Sequence, residues 1–494
     1  MHTAVIPANT VIYCSLEGFM ESLWSKSVEM PEFSRLDEDL EIDAAVIGGG
    51  MAGLLTAYKL REKGVDAVVL EADRICSGQT KNTTAKITCQ HGLIYDRLID
   101  AFGERRARQY AAANLRAIGE YEEIIRKEKI DCSFKRLPSY LYTQNEEKFL
   151  NREYEAAKRL GIPLTLINGS PLPFSVKKSL CFENQAQFNP LEFTAEISKR
   201  LKIYEKTKVM SAEKGILKAN GKTVKAKNVV VATHYPFINA PGYYFLRLHQ
   251  ARSYAVAFEN CGKIGGMYYG IDPDTLSFRE YGNMIIASGG SHITGEGKGN
   301  EFSDIVIKTR EIWDGAAEVA RWSAQDCMPP DSVPYIGRYS KSTENFYVAT
   351  GFQKWGMTSS MVAADIISDM VCGVENENAE IFSPQRNISA ATGELCRHAV
   401  RSVNGLAVKK LKMPKKNSSQ LKSGEGDIVR HEGKTVAAYR DENGKLHITN
   451  PNCAHLGCRL SFNSELKSWD CPCHGSRFDV DGKLIDNPSV KGLK

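Results

Sequence analysis

Four cysteines and two histidines lie in two short segments near the C-terminal end, and they constrain the fold more than any other feature. The segments are Cys453-Ala-His455-Leu-Gly-Cys458 and Cys471-Pro-Cys473-His474-Gly-Ser476. Cysteine thiolates and histidine imidazoles are ligands that zinc and iron–sulfur centres take from proteins. The pattern therefore predicts that two loops meet at one metal centre.

Two kinds of metal centre use two cysteines together with two histidines. In a Rieske [2Fe–2S] cluster, two imidazoles replace two thiolates on one iron. A structural zinc site is the alternative, because it also takes this set of ligands. Zinc needs only four ligands and would leave two of the cysteines without a role, so the sequence favours the cluster.

The order of these residues, the glycine after His474 and the serine at position 476 resemble the Rieske proteins of respiratory complexes. The resemblance covers residues 424–494 and implies four iron ligands: Cys453, His455, Cys471 and His474. It also implies a disulfide between Cys458 and Cys473 that bridges the two loops. A small β domain is expected to carry them.

A glycine-rich turn lies between two short apolar runs near the other end of the chain. The run Asp43–Ile47 leads into Gly48, Gly50 and Gly53, and the second run ends at Glu71. In a dinucleotide-binding fold these glycines give the tight turn, the approach to the pyrophosphate and the close helix packing. An acid at the end of the second strand binds ribose hydroxyls. The turn alone leaves FAD and NAD both open.

The segments 331–338 and 345–358 favour FAD. They resemble the closing segments of the D-amino-acid oxidase, glycine oxidase and sarcosine oxidase family of flavoproteins, and residues 77–85 resemble the loop that passes the flavin there. The family's closing helix directs its positive N-terminal end at the flavin and favours the reduced anion. The resemblance implies further FAD contacts at Thr80, Thr83, Ala85, Val209, Gly337, Gly351, Gly356, Met357 and Thr358.

Together the two resemblances predict an α/β plus all-β protein. An FAD-binding Rossmann-like domain with an inserted mixed-sheet substrate domain is followed by a small Rieske β domain. The predicted order is a lead-in at 1–40, the oxidoreductase at 41–383, a basic linker at 384–423 and the Rieske domain at 424–494. Within the oxidoreductase, FAD-binding parts at 41–95, 185–235 and 325–383 alternate with substrate parts at 96–184 and 236–324.

The family resemblance places the substrate under the mixed sheet, at about residues 235–325. Candidate substrate residues there are Arg252, Tyr254, Tyr268, Tyr269, Arg279 and His292. Asp326 occupies the position where amino-acid oxidases of this family often hold the substrate carboxylate with an arginine. A carboxylate cannot replace a guanidinium in that role, which favours a cationic amine over a free amino acid.

The composition argues against two classes of partner. The formal net charge of +5 is small for 494 residues, so nucleic acid binding is not indicated. No apolar run reaches the length of a membrane span, and the first residues lack the basic and apolar regions of a signal peptide. We therefore expect a cytoplasmic protein that acts on a small molecule.

The expected function is oxidation of an amine or N-methyl amine, with electrons passing from FAD through the Rieske cluster to an external one-electron acceptor. Flavin suits this path because it exchanges electrons in pairs or singly. An oxidase that uses oxygen would need no cluster, so a dehydrogenase or demethylase is favoured. A reductase running in the opposite direction remains an alternative, as does a non-enzymatic electron carrier or redox sensor.

Residue 478 gives a test of the cluster's environment. In the respiratory proteins a serine and a tyrosine hydroxyl both donate to cluster sulfurs; here Ser476 is retained but the tyrosine position is Phe478. Phe478→Tyr should raise the reduction potential of the cluster, because a new donor stabilises the reduced state. A redox titration followed by EPR measures this. An unchanged potential, with the hydroxyl within hydrogen-bond distance of a sulfur, would contradict the argument.

Overall fold

The structure is a computed structural model that describes residues 20–145, 147–388, 393, 397 and 414–493. Residues 1–19 of the predicted lead-in lie outside the described residues. So do residues 389–392, 394–396 and 398–413 of the predicted linker.

The chain alternates strands and helices up to residue 382 and is almost entirely β after residue 414. The strands are β1 Leu40–Ile47, β2 Ala67–Leu70, β3 Lys86–Ile87, β4 Lys135–Thr143, β5 Leu164–Asn168, β6 Lys178–Gln187, β7 Lys202–Tyr204, β8 Val209–Glu213, β9 Ile216–Ala219, β10 Lys222–Val231, β11 His249–Glu259, β12 Met267–Gly270, β13 Ser277–Tyr281, β14 Met284–Ile293, β15 Ala317–Met328, β16 Tyr335–Arg338, β17 Phe346–Thr350, β18 Gly426–His431, β19 Lys434–Arg440, β20 Leu446–Thr449, β21 Ser461–Asn463, β22 Ser468–Asp470, β23 Arg477–Asp479 and β24 Leu484–Asp486. The helices are α1 Leu23–Ser27, α2 Met51–Glu62, α3 Tyr95–Glu128, α4 Glu147–Arg159, α5 Pro190–Ser198, α6 Glu301–Ile312, α7 Gly356–Val371 and α8 Ala379–Phe382.

The first sheet, here called the nucleotide sheet, has the strand order β16-β17-β10-β1-β2-β7, with β9 and β8 added beside β10. Strands β17, β10, β1, β2 and β7 run parallel. Their valine- and isoleucine-rich sequences suit strands that are covered on both faces. Helices α2 and α7 pack against each other beside this sheet. The arrangement brings the turn after β1 and the turn after β17 to one edge of the sheet.

The second sheet, here called the mixed sheet, has the order β15-β11-β14-β13-β12-β4-β6-β3, with β5 paired to β6. All of its described pairs are antiparallel except β12 with β4. Strands β4 and β11 to β14 come from the parts predicted to bind substrate, whereas β3 comes from a part predicted to bind FAD. The predicted fold class, with a mixed sheet inserted in a Rossmann-like domain, is confirmed.

The C-terminal domain, residues 414–493, has one sheet of order β18-β19-β20 and another of order β21-β22-β23-β24. It packs directly on the nucleotide and mixed sheets. Asn487 Nδ2 donates to the carbonyl oxygens of Thr233 at 2.9 Å and Tyr235 at 3.1 Å. Lys208 Nζ donates to the carbonyl oxygen of Val490 at 2.7 Å. On the C-terminal side, these contacts come from the tail that follows the last strand.

In the part of the chain that the structure describes, no helix is both long enough and apolar enough to cross a membrane.

The described end of the lead-in packs into the core through helix α1. Trp24 is fully buried, and its Nε1 donates to the carbonyl oxygen of Thr83 at 2.7 Å. Its ring meets Tyr281 edge to face at 4.8 Å and lies 5.2 Å from the guanidinium of Arg279. The lead-in, for which the sequence predicted no role, therefore supports the loop that contains Thr83.

Trp24→Ala should lower the free energy of unfolding by about 3–5 kcal/mol, because it empties a large buried site and removes a hydrogen bond. Urea unfolding followed by far-UV circular dichroism measures the change, because this signal does not rely on tryptophan fluorescence. Ile307→Ala is the control, since Ile307 is 56% exposed. Equal stability of the Trp24 variant and wild type would show that α1 does not support the core.

Candidate functional site

The turn between β1 and α2 can accept no side chain at two of its glycines. Gly48 has a φ of +109°, and a Cβ atom there would lie 2.5 Å from the carbonyl oxygen of Ala232. A Cβ atom on Gly53 would lie 1.9 Å from the carbonyl oxygen of Gly48. At Gly50 the nearest atom to such a Cβ is Thr80 Oγ1 at 3.3 Å. The turn thus brings backbone N–H groups and a helix N-terminus to the edge of the sheet, which suits a pyrophosphate.

Glu71, at the end of β2, is fixed beside this turn. Its Oε2 accepts from the N–H of Gly49 at 2.6 Å, and its Oε1 accepts from the N–H of Asp73 at 2.9 Å. Burial raises the pKa of this carboxyl group above its usual value, although both backbone N–H groups oppose that rise. Each oxygen keeps a second lone pair for a ribose hydroxyl, as the predicted role requires.

A cavity of about 1280 Å³ extends from this turn to the mixed sheet. Nine of the predicted cofactor residues line it: Gly48, Gly50, Glu71, Thr80, Thr83, Val209, Gly351, Gly356 and Met357. The residues present fit FAD, because a glycine turn open to phosphate, a carboxylate for ribose and the start of α7 border one continuous space.

Four of the predicted cofactor residues do not line the cavity. Gly53 packs against Gly48, and Ala85 is buried with its carbonyl oxygen accepting from Arg279. A side chain on Gly337 would meet Pro384, and Thr358 Oγ1 donates to the carbonyl oxygen of Thr88. Gly53 and Gly337 thus lie at points of close packing. Ala85 and Thr358 do not line the cavity although their neighbours Thr84 and Met357 do, because adjacent positions in a chain segment face different sides.

The predicted substrate residues Arg252, Tyr254, Tyr269, His292 and Asp326 all line the cavity. Two further candidates do not. Tyr268 is fully buried and stacks on Tyr140 at 4.8 Å. The guanidinium of Arg279 is buried against the carbonyl oxygens of Thr84 and Ala85. Arg279 therefore supports the loop beside the cavity and does not reach into it.

Tyr254 and His292 form a hydrogen-bonded pair in the cavity wall. His292 Nδ1 lies 2.7 Å from the carbonyl oxygen of Ile293, which can only accept, so Nδ1 carries the proton. His292 Nε2 then accepts from the hydroxyl of Tyr254 at 3.0 Å. Asn463 of the C-terminal domain donates to the same hydroxyl at 3.3 Å. Glu301 Oε1 lies 3.7 Å from His292 Nε2.

Arg252 is nearly fully buried, and its charge is met by the C-terminal domain. Its Nη1 lies 3.8 Å from Asp486 Oδ2, and it also donates to the side chains of Ser323 and Gln325. Burial lowers the pKa of Arg252 to about 10, and the positive charge of Arg477 adds to this effect. The guanidinium remains charged at neutral pH and is already paired with a carboxylate.

Asp326 is half-buried at the end of β15. Burial raises its pKa to about 6, while the nearby charges of Lys354 and Arg252 act in the opposite direction. The carboxylate is thus ionised above pH 6 and protonated below it. The side chain of Asp326 borders the cavity, and the cations near it are Lys354 and Arg252.

The sequence reasoning missed Lys86 and His91, which also line the cavity. Lys86 Nζ donates to the carbonyl oxygen of Tyr268 at 2.9 Å, and burial lowers its pKa to about 7. The ring of His91 stacks on Trp355 at 4.8 Å, and burial lowers its pKa to about 3. Neither residue lies in a recognisable motif, so no sequence signal marked them.

The four predicted iron ligands form two close pairs in the C-terminal domain. The thiols of Cys453 and Cys471 are hydrogen-bonded to each other, and the rings of His455 and His474 have centroids 5.1 Å apart. Nδ1 of each ring is buried and has no hydrogen-bond partner among the described residues. Two paired thiols, together with two imidazoles whose Nδ1 atoms have no partner there, are the donor set that a Rieske cluster requires.

A disulfide joins Cys458 to Cys473 beside these ligands. The sulfurs of Cys458, Cys471 and Cys473 lie close enough together to be taken for a three-cysteine metal site. That interpretation fails because two of the three are bonded to each other and offer no thiolate.

Two further residues discussed above lie near the ligands. Ser476 Oγ bonds to Cys453 and accepts from the N–H of Ser489 at 2.9 Å, while Phe478 is fully buried in the domain core.

Comparison with protein families decides what these two sites are. Residues 43–370 match the family described as DAO, FAD dependent oxidoreductase, and residues 411–494 match the Rieske [2Fe-2S] domain. The chain belongs to the FAD dependent oxidoreductase family. Its C-terminal domain is a Rieske domain, so the predicted enzyme class and both predicted cofactors, FAD and the [2Fe–2S] cluster, are confirmed and the zinc alternative is set aside.

Known proteins resemble the whole chain or its oxidoreductase part. A putative Rieske 2Fe-2S iron-sulfur protein, YhfW of Bacillus subtilis (strain 168), is 37% identical over 502 residues, which cover 96% of this chain and 97% of the relative. L-proline dehydrogenase from P. horikoshii covers 71% of this chain and 98% of its own, with a TM-score of 0.60 and 20% identity. Glycine oxidase from Geobacillus kaustophilus covers 71% and 100%, with a TM-score of 0.57 and 17% identity. At these identities the two structures show a shared fold.

His474→Ala should abolish the EPR signal of a His-ligated [2Fe–2S] cluster while FAD content stays near one per chain, because the FAD residues lie in other segments. His447→Ala is the matched control, since His447 belongs to the same domain but pairs with Asp441 and Asp481. Iron analysis and EPR of both variants measure the effect. An unaltered signal in His474→Ala would remove His474 from the ligand set.

Proposed function

We propose that the protein oxidises a small amine or N-methyl amine and delivers the electrons, one at a time, through its Rieske domain to an external acceptor. One observation carries the proposal. The loop that contains His474 packs on the same sheet whose residues border the cavity, since Gln250 of β11 donates to the carbonyl oxygen of His474 at 2.8 Å. The proposed two-electron site and the proposed one-electron site therefore adjoin the same sheet within one chain.

The bound cofactors supply the redox chemistry, because FAD accepts a hydride and a Rieske cluster relays single electrons. The chain's own residues bind and orient the substrate. Asp326 is an ionised carboxylate at neutral pH and attracts the ammonium form of an amine. Of the arginines that line the cavity, Arg252 lies on the mixed sheet beside the other proposed substrate residues, and it is already paired with Asp486. This arrangement favours an amine over a free amino acid.

Proton movement is assigned to the Tyr254–His292 pair. The substrate amine must be neutral when it reacts, so a proton has to leave it first. His292 Nε2 is the basic nitrogen of the pair, and the hydroxyl of Tyr254 donates to it at 3.0 Å. Glu301 Oε1 lies 3.7 Å from the same nitrogen. A proton can therefore pass from the cavity to His292 through the hydroxyl of Tyr254.

Electrons are proposed to leave at His455. This ring is half-buried and lies 3.5 Å from Asn239 Oδ1, whereas the adjacent Leu456 is 38% exposed. Tyr243 and Leu246, which flank the Phe245 that packs on the His455 ring, are 53% and 55% exposed. Exposed apolar side chains beside a redox centre suit a transient protein partner.

The two alternative functions, a reductase and a non-enzymatic carrier or sensor, make different demands on the structure. A reductase running in the opposite direction would use the same contacts, so only the acceptor and donor tests separate it. A non-enzymatic carrier or sensor would favour a closed, apolar flavin face, whereas this cavity is large and contains convergent polar groups. An enzyme is therefore favoured.

A cytoplasmic location is also a proposal. It is supported by the cysteines: Cys76, Cys89, Cys132, Cys181, Cys261, Cys327 and Cys372 form no disulfide in the structure. Unpaired cysteines in this number suit a reducing compartment. The Cys458–Cys473 pair is buried, which protects it from cellular thiols.

Anaerobic titration of the holoenzyme with a panel of amines, N-methyl amines and α-amino acids tests the proposal. We expect an amine to bleach the flavin absorbance and then to produce the signal of the reduced cluster. Bleaching by free amino acids alone would contradict the proposed substrate class. Reduction of the cluster by an external donor, followed by electron transfer to a substrate, would support the reverse direction.

Asp326→Asn should raise the KM for the active amine about tenfold, because it removes one charge interaction of roughly 1.4 kcal/mol. In wild type, amine binding should weaken as the pH falls through 6, where Asp326 becomes protonated. The rate of flavin reduction should rise with pH, since more of the amine is neutral. Stopped-flow kinetics from pH 5 to 9 measure both effects.

Asp100→Asn is the matched control for this experiment, because Asp100 is exposed on α3. It should leave the kinetics unchanged. If Asp326→Asn also leaves the KM unchanged, Asp326 does not bind the substrate.

A further inference from the structure

Two buried glutamine side chains connect the mixed sheet to the cluster loop, residues Cys471–Ser476. Gln250 on β11 is 1% exposed, and Gln325 on β15 is fully buried. Gln250 Nε2 donates to the carbonyl oxygen of His474 at 2.8 Å. Gln325 Nε2 donates to the carbonyl oxygen of Gly475 at 2.8 Å. One domain thus holds two consecutive carbonyl groups of the other.

The two glutamines are also bonded to each other and to the wall of the cavity. Gln325 Nε2 donates to Gln250 Oε1 at 2.8 Å. The backbone N–H of Gln325 donates to Oε1 of Gln79 at 2.7 Å, and Gln79 lines the cavity. Hydrogen bonds and covalent bonds therefore run without a break from the cavity wall, through Gln325 and Gln250, to a proposed iron ligand.

The contact leaves no space for a side chain on the loop. Gly475 has a φ of +85°, and a Cβ atom there would lie 2.5 Å from Cβ of Gln250. On the sheet side, a Cβ atom on Gly295 would lie 3.0 Å from the backbone nitrogen of Pro472. Glycine on both sides lets the two backbones approach closely, which shortens the path between the sites.

We infer that Gln250 and Gln325 are positioning residues that fix the cluster loop on the mixed sheet, so that electrons pass between flavin and cluster without movement of the Rieske domain. The inference rests on the proposed flavin-to-cluster transfer. In each transfer the reduced flavin loses one electron and one ferric iron becomes ferrous. Two transfers, with the external one-electron acceptor reoxidising the cluster after each, return anionic reduced flavin to the oxidised form and release one proton to solvent.

Other interdomain contacts keep the domain attached when the glutamines are changed. Asn487 bonds to Thr233 and Tyr235, and Lys208 bonds to Val490, all outside the cluster loop. Gln250 Nε2 also donates to the carbonyl oxygen of Asn487 at 2.9 Å, but the bonds that Asn487 Nδ2 and Lys208 make do not involve either glutamine. Loss of the two amides should therefore free the loop and leave the domains joined. This separates a positioning role from a general role in folding.

The test is laser flash photolysis of the full-length protein that contains both cofactors. The flavin is photoreduced with EDTA as electron donor, and absorbance then follows reduction of the cluster, so no amine substrate is needed. In wild type the rate should not depend on added sucrose. In Gln250→Leu/Gln325→Leu it should fall at least tenfold and decrease with viscosity, because the loop must now find its contact by diffusion. The EPR signal and FAD content should stay as in wild type.

Gln109→Leu is the matched control, because Gln109 Nε2 also donates to a backbone carbonyl oxygen, that of Glu377 at 2.7 Å, on the exposed surface. Gln325→Asn, which keeps the amide but shortens its reach, guards against misfolding of the double variant. Hydrogen exchange of the amides in residues 471–476 should be faster in this variant than in wild type.

Four outcomes would overturn the inference. A wild-type rate in the double variant, or unaltered exchange in Gln325→Asn, would show that the glutamines do not position the loop, and the proposed function would stand. A viscosity-dependent rate in wild type would show that the domain moves. If the photoreduced flavin of wild type never reduces the cluster, the proposed function fails as well.

Discussion

A buried ion network between the two domains is the interaction on which the rest of the structure depends. Arg477 lies 3.1 Å from Asp470 and 2.9 Å from Asp486, and Asp486 also faces Arg252 at 3.8 Å. Burial alone would raise the pKa of Asp486, but Arg477 and Arg252 bring it below its usual value. Buried charges are tolerated only when they are paired, so separating the domains would leave Arg252 without its carboxylate.

The same network makes the C-terminal domain part of the cavity. Leu484, Ile485, Asp486, Asn487, Ser489 and Val490 all border it. Asn463 adds a hydrogen bond to the hydroxyl of Tyr254, so a residue from the Rieske domain orients a residue of the proposed substrate site. The proposed substrate site and the cluster loops therefore share one set of contacts, so the geometry of the proposed substrate site depends on how the Rieske domain is docked.

Local sequence patterns predicted the parts of the structure that depend on local geometry. Gly48, Gly50 and Glu71 could be placed because a tight turn between strand and helix needs these residue types at this spacing. Thr358 and Gly337 were predicted to bind FAD but do not line the cavity, since a resemblance that places a segment does not fix which atoms each of its residues contacts. The pairing of Arg252 with Asp486, and of Gln325 with Gly475, joins residues far apart in sequence. No periodicity or motif reports such contacts.

The tail after the last strand shows how far the two halves have become one unit. Its residues Asn487 and Val490 bond to Tyr235 and Lys208 of the oxidoreductase, beyond the cluster loops themselves. A Rieske domain taken from another protein could carry its own cluster and still lack the residues that border the cavity in this chain. The linker separates the two domains in sequence, but the cavity is built from both of them. Recombination at the linker would therefore replace one wall of the cavity together with the Rieske domain.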